Sequence, residues 1–188
     1  MTNPDIKTRT SLPDEMRILL GAYPREAWPD HPGFAQSIEN WLGAHEMFRK
    51  LGKLVRELSE SYIEKQRDSE DFSGRISYYG NALVANLHGH HTWEDRKFFP
   101  ELLAADDRFD HGLEMLESDH QTLDVTIETL TRQANRTLKL LQLDETQARE
   151  EAKLLRDSSA AIEGFLKRHL TDEEELVVPI LLHHQMRG

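Results

Sequence analysis

The chain has 188 residues, enough for one domain with a sizeable core, and it has no cysteine. That excludes disulfides, thiolate-bound zinc and cysteine-held iron–sulfur clusters, so any metal must be held by nitrogen and oxygen. A formal net charge of −11 argues against nucleic acid as a partner, and no apolar run approaches the roughly 18 residues that span a bilayer.

The start, Met1-Thr2-Asn3-Pro4-Asp5, has no basic-then-apolar leader pattern, so a cytoplasmic protein without a membrane partner is expected. Pro4, Pro13, Pro24, Pro29 and Pro32 forbid a long helix there. Residues 1–33 therefore read as an irregular extension, in which residues 15–20 form a short amphipathic piece able to pack on the main body. After Pro32 no proline appears until Pro100, and none between Pro100 and Pro179.

The first helix is expected over about 34–65, with Phe34, Ile38, Trp41, Leu42, Phe48, Leu51, Val55, Leu58 and Tyr62 in one stripe. Polar residues 66–71 end it. Ser73 can cap a second helix, which carries Ile76, Leu83, Leu87 and Phe98 and should stop near Pro100. The third spans about 111–143, with Leu113, Leu116, Leu123, Ile127 and Leu130 aligned. Asp144, with Gln147 three residues on, caps a fourth, whose stripe holds Leu155, Ile162, Phe165, Leu166 and Val177 and which should stop near Pro179. No segment shows sustained alternation. The expected fold is all-α, an antiparallel up-down-up-down four-helix bundle over residues 34–188.

One phrase occurs twice on these helices. His90-His91-Thr92-Trp93-Glu94-Asp95 leads to Phe99-Pro100, and His169-Leu170-Thr171-Asp172-Glu173-Glu174 leads to Val178-Pro179, 79 residues later. Residues i and i+4 share a helical face, so each phrase aims an imidazole and a carboxylate at one point. In an antiparallel hairpin, residues at equal height have their midpoint in the turn. For His45 and His90 that midpoint is 67.5, for His90 and His120 it is 105, and for His120 and His169 it is 144.5, each in an expected loop. Four histidines, one per helix, should form one layer, with Glu94 and Glu173 one turn away. A lone histidine in an apolar stripe is usually an ordinary core residue. This many buried ionisable groups would cost several kcal/mol each without a cation.

Four imidazoles and two carboxylates over-supply a tetrahedral zinc site. They suit two ions, each with two histidines, bridged by both glutamates and a solvent-derived oxo or hydroxo group. Donors of this kind favour iron, with manganese or zinc as competitors. His91 is a reserve ligand, pointing about 100° from His90. Glu46 and Asp95 read as surface groups or supports for a ligand, and Glu174 and Glu175 as a solvated acidic face. His31, His88, His111, His183 and His184 are set aside.

Taken together, His45, His90-x3-Glu94 before Phe98-Phe99-Pro100, His120 and His169-x3-Glu173 resemble the hemerythrin-like, or HHE cation-binding, family over about residues 34–183. The pattern is closest to its bacterial four-histidine, two-glutamate subgroup. The resemblance implies a non-haem di-iron centre with His45, His90, His120 and His169 as terminal ligands and Glu94 and Glu173 as bridges. Oxygen-carrying members have a histidine four residues after the third-helix ligand, where this chain has Asp124. That residue is expected to ligate or to orient a histidine, and pure oxygen carriage is disfavoured.

The expected function is a di-iron protein that binds or reduces a small oxidant (O2, NO or peroxide) as sensor, scavenger or store. The alternative is an iron-handling or interaction protein whose metal mainly holds the bundle together. A zinc hydrolase, which would need an open polar cleft, is third. Whether the chain is an enzyme, and its oligomeric state, are left open by the residues.

Overall fold

The computed structural model describes residues 5–186, and every regular element among them is helical. The long elements are α1 Gln36–Ile63, α2 Ser69–Trp93, α3 Phe99–Ala105, α4 Asp110–Leu141 and α5 Glu145–His183. Short 3-10 turns lie at Asp14–Met16, Arg25–Ala27 and Asp107–Phe109, and Glu94–Phe98 is π-helical. None of the described helices is long and apolar enough to cross a membrane.

The ends follow local chemistry. α1 closes on Lys65, whose φ of 60° turns the chain left-handed, and Gln66 N–H donates to the Ser61 carbonyl at 2.9 Å, a bond of the kind that satisfies the last carbonyls of a helix. α2 starts five residues earlier than expected. Asp68, not Ser73, is the cap, accepting from Asp71 N–H at 2.8 Å, and Ser73 lies inside the helix. Asp144 caps α5 as expected, accepting from Thr146 and Gln147 N–H at 2.9 and 3.1 Å while the Gln147 amide donates back at 3.0 Å.

Both expected proline stops are wrong. Pro100 sits in the first turn of α3, where a missing N–H costs little. Pro179 lies within α5, which continues to His183. A mid-helix proline costs about 3 kcal/mol. Here Leu176, Val177, Val178, Ile180, Leu181 and Leu182 are all buried. Large apolar side chains contribute about 1.5–3 kcal/mol each on burial, so packing outweighs the lost bond.

α1, α2, α4 and α5 each contribute residues to both of two compact units. One holds the chain up to Glu46, His91–His120 and the chain from Lys167. Its core joins Leu12, Met16, Leu19 and Trp28 of the leading segment to Ile38 and Trp41, Phe98, Phe99 and Leu102, Phe109, Leu113 and Leu116, and the apolar end of α5. The amphipathic piece at 15–20 thus contributes Met16 and Leu19 to a core. The other unit holds Met47–His90 and Gln121–Leu166. Four helical stretches meet there: Tyr62 stacks on Phe72 at 4.3 Å, Arg149 lies over Tyr62, Ser69 donates to Glu145 at 2.9 Å, and Arg136 of α4 pairs with Glu151 at 2.9 Å.

Candidate metal centre

Six donors lie in the unit that contains the leading segment. α2 runs into the π-helical residues Glu94–Phe98, where the Phe99 N–H donates to the Glu94 carbonyl. A widened turn of this kind is frequent at functional sites, and it stands directly before Pro100. It carries Glu94 inward, with no exposure.

Two donor groups form. His91, His120 and His169 each bring a ring nitrogen within 4.8 Å of the other two. His45, Glu94 and Glu173 meet the same spacing in a second set. All six side chains are buried. The aromatic contacts are close: His91 stacks on His120 with centroids 4.0 Å apart, and Trp41 lies 4.1 Å from His45.

Each of three histidines has one nitrogen committed outward. His45 Nδ1 faces Glu174 Oε1 at 3.0 Å, His120 Nδ1 faces Asp95 Oδ1 at 2.7 Å, and His169 Nδ1 faces Asp119 Oδ2 at 3.3 Å. An ionised carboxylate only accepts, so Nδ1 carries the proton and Nε2 keeps its lone pair. The two inward nitrogens of His120 and His169 then stand 3.1 Å apart. Lone pairs at that distance repel unless a cation or a proton lies between them.

The carboxylates face the same space. Glu94 Oε1 accepts from Trp41 Nε1 at 2.8 Å, and its Oε2 lies 3.9 Å from His120 Nε2. Glu173 Oε2 is 3.5 Å from His45 Nε2 and 3.8 Å from His169 Nε2. Neither oxygen of Glu173 accepts a hydrogen bond, although the residue has no exposure. Burial first, and the Glu94 carboxylate beside it next, push the Glu173 carboxyl well above the usual range. Burial likewise pushes His169 down to about 4, outweighing its bond to Asp119. Burial pushes Asp119 up, but the bonds from His169 and Arg9 prevail and hold it below the ordinary carboxylate range.

Of the expected ligands, His45, Glu94, His120, His169 and Glu173 lie in this unit. His90 is the last residue of the other unit's first segment, half-buried, with its ring 5.0 Å from Phe48. His91 joins the centre, against the expectation that it points elsewhere. Rotation by 100° turns a side chain away from a single point, but not from two donor groups lying side by side. Glu174 is also corrected: it is 3% exposed and supports His45 rather than facing solvent.

Asp124 is exposed and orients none of these histidines. Four of the histidines set aside have other partners: His31 accepts from Gly33 N–H, His183 meets Tyr23, His184 meets Asp106, and His111 lies 3.9 Å from Glu114, while His88 is exposed. Asp119 carried no sequence signal, because it serves a histidine 50 residues away rather than its neighbour His120.

A family model described as the hemerythrin HHE cation binding domain matches residues 36–181. No curated protein and no solved structure matches the chain.

Proposed function

We propose that this chain, which belongs to the hemerythrin HHE cation-binding domain family, holds two iron ions in its two donor groups and presents them to a small oxidant. The carrying observation is the pair of imidazole nitrogens 3.1 Å apart with both outer nitrogens bonded to carboxylates. The unbonded oxygens of fully buried Glu173 support it. Nitrogen and carboxylate donors with no cysteine suit iron, with manganese or zinc as competitors.

On this reading His91, His120 and His169 hold one ion. His45, His90, Glu94 and Glu173 serve the second, His90 being placed by its i+4 relation to Glu94. Glu173, near both His45 and His169, and Glu94 are the carboxylates that would be shared between the two ions. The same reading takes residues 34–188 as an antiparallel up-down-up-down bundle with residues 1–33 packed on it.

Two irons would supply the electrons with which O2, NO or peroxide is bound or reduced. The chain's own contribution is positioning and dryness. Trp41 holds Glu94 through its indole N–H. Phe98 and Phe99 pack against Trp41 and His120. A pocket of about 230 Å3 lined by Ser37, Ile38, Asn40, Trp41, Trp93, Phe98 and Leu181 reaches this indole. Its largely apolar wall, with Ser37 and Asn40 as the polar side chains, suits a diatomic or peroxide better than an organic substrate, which would need convergent polar groups.

The test is to load the metal-free protein with Fe2+ under argon and then admit air. The reading expects new near-ultraviolet and visible absorption from oxidised iron, bleached by a reductant. Iron that binds and stays spectroscopically unchanged in air, NO and peroxide overturns it. That result would favour the second reading, a metal that chiefly holds the fold, for which the buried acidic pair Glu94 and Glu173 is the motivating observation.

A further inference from the structure

Two side chains from the leading segment reach the centre, and both lie outside the family-matched residues 36–181. Arg9, 2% exposed in its side chain, donates from Nε to Asp172 Oδ2 at 2.7 Å and from Nη2 to Asp119 Oδ2, with Nη1 3.4 Å from Asp119 Oδ1. Asp119 Oδ2 in turn accepts from His169 Nδ1. Arg25 donates from Nη1 to Glu174 Oε2 at 2.7 Å, and Glu174 Oε1 accepts from His45 Nδ1 at 3.0 Å. The result is two parallel chains, Arg9–Asp119–His169 and Arg25–Glu174–His45, one to each donor group.

We propose that Arg9 and Arg25 are positioning residues that aim His169 and His45 at the metals, so that the leading segment completes the centre from outside the helices. The Arg9 guanidinium reaches both oxygens of Asp119 and so fixes that carboxylate in distance and plane, while Arg25 holds Glu174 through one charged bond. The fixed carboxylate sets the ring orientation and the tautomer of the histidine it accepts from, leaving Nε2 inward. The segment itself is anchored to do this. Leu12, Met16 and Trp28 are buried, the Thr10 carbonyl accepts from Arg168 at 2.7 Å, and Arg25 lies over the Trp28 ring at 4.7 Å. Asp95, which orients His120, is partly exposed instead.

The experiment uses the full chain and its Arg9→Gln, Arg25→Gln and Arg25→Lys variants, with two readouts. The first is metal-independent: long-range proton–nitrogen spectra of the metal-free protein report which nitrogen of each histidine carries the proton. Arg25→Gln should scramble the tautomer of His45 and leave His169 alone, Arg9→Gln should do the reverse, and Arg25→Lys should restore His45 in part. The second is Fe2+ titration under argon, in which each Gln variant should bind roughly 10–100-fold more weakly.

Arg25 is 44% exposed in its side chain, so its variants stay testable if Arg9→Gln does not fold. Loss of thermal stability with both tautomers unchanged and iron affinity within twofold of the parent would overturn the proposal, leaving the arginines a purely structural part. The second readout rests on the metal reading above. If the parent binds no iron yet the tautomers respond as expected, that reading fails and the positioning chains stand.

Discussion

Replacing Glu173 by Gln keeps the shape of the side chain and removes its charge. In the metal-free protein the native carboxyl is fully buried, accepts no hydrogen bond and stands beside Glu94. An unsatisfied buried polar group costs about 1–3 kcal/mol, and more if charged. Its raised pKa means that the folded state binds a proton the unfolded state releases. The metal-free parent should therefore lose stability as pH rises from the ordinary carboxylate value of about 4.3 toward neutrality. Glu173→Gln has no proton to lose, so at pH 7 the metal-free variant should be more stable by about 1–3 kcal/mol, and its pH dependence flatter. At about 2–4 °C per kcal/mol for a chain of this size, the melting temperature should rise by several degrees.

With iron present the sign reverses. The parent gains about 2.7 kcal/mol when free metal is 100 times Kd, and the variant forfeits most of that gain. Denaturant melts with and without Fe2+, at pH 5 and pH 7, measure all four states. A variant equally destabilised with and without metal would refute the reasoning, since the carboxyl would then be satisfied within the protein.

His91→Ala should weaken binding of one of the two irons by roughly tenfold or more, as loss of a ligand or its support does, while His111→Ala should change it less than twofold in the same titration. Trp41→Phe keeps an aromatic ring beside His45 but removes the donor to Glu94. It should cost about 1–3 kcal/mol in a denaturant melt and shift the absorption of the oxidised iron protein. Asp106 is held well below the usual carboxylate range, chiefly by Arg108, with His184 adding to it. Its contribution should be complete above the ordinary value of about 4 and fade as pH falls below it. Asp106→Asn should therefore cost about 1 kcal/mol at pH 6 and much less at pH 3, as followed by urea melts.

The helices were legible because their stripes are long, and the caps were legible where one side chain decides them, as at Asp144. The register of the donors was legible from turn midpoints, which brought His120 to His169. The proline stops failed because a local rule was set against the burial of six neighbours in α5. His91 was discounted because the spacing argument assumed one focal point. Glu174, Asp119, Arg9 and Arg25 were invisible for a different reason. Each acts on a residue far away in the chain, and no helical period links Arg25 to Glu174 or Arg9 to Asp119. Only the folded packing of the leading segment reveals them.

The central claim is that two adjacent donor groups hold two metal ions. Equilibrium dialysis of the metal-free chain against Fe2+ under argon, with metal and protein counted independently, tests it most directly. The account predicts two ions per chain, the second of them needing roughly tenfold or more Fe2+ to fill in His91→Ala. A parent chain that saturates at one ion, or binds none, would contradict it.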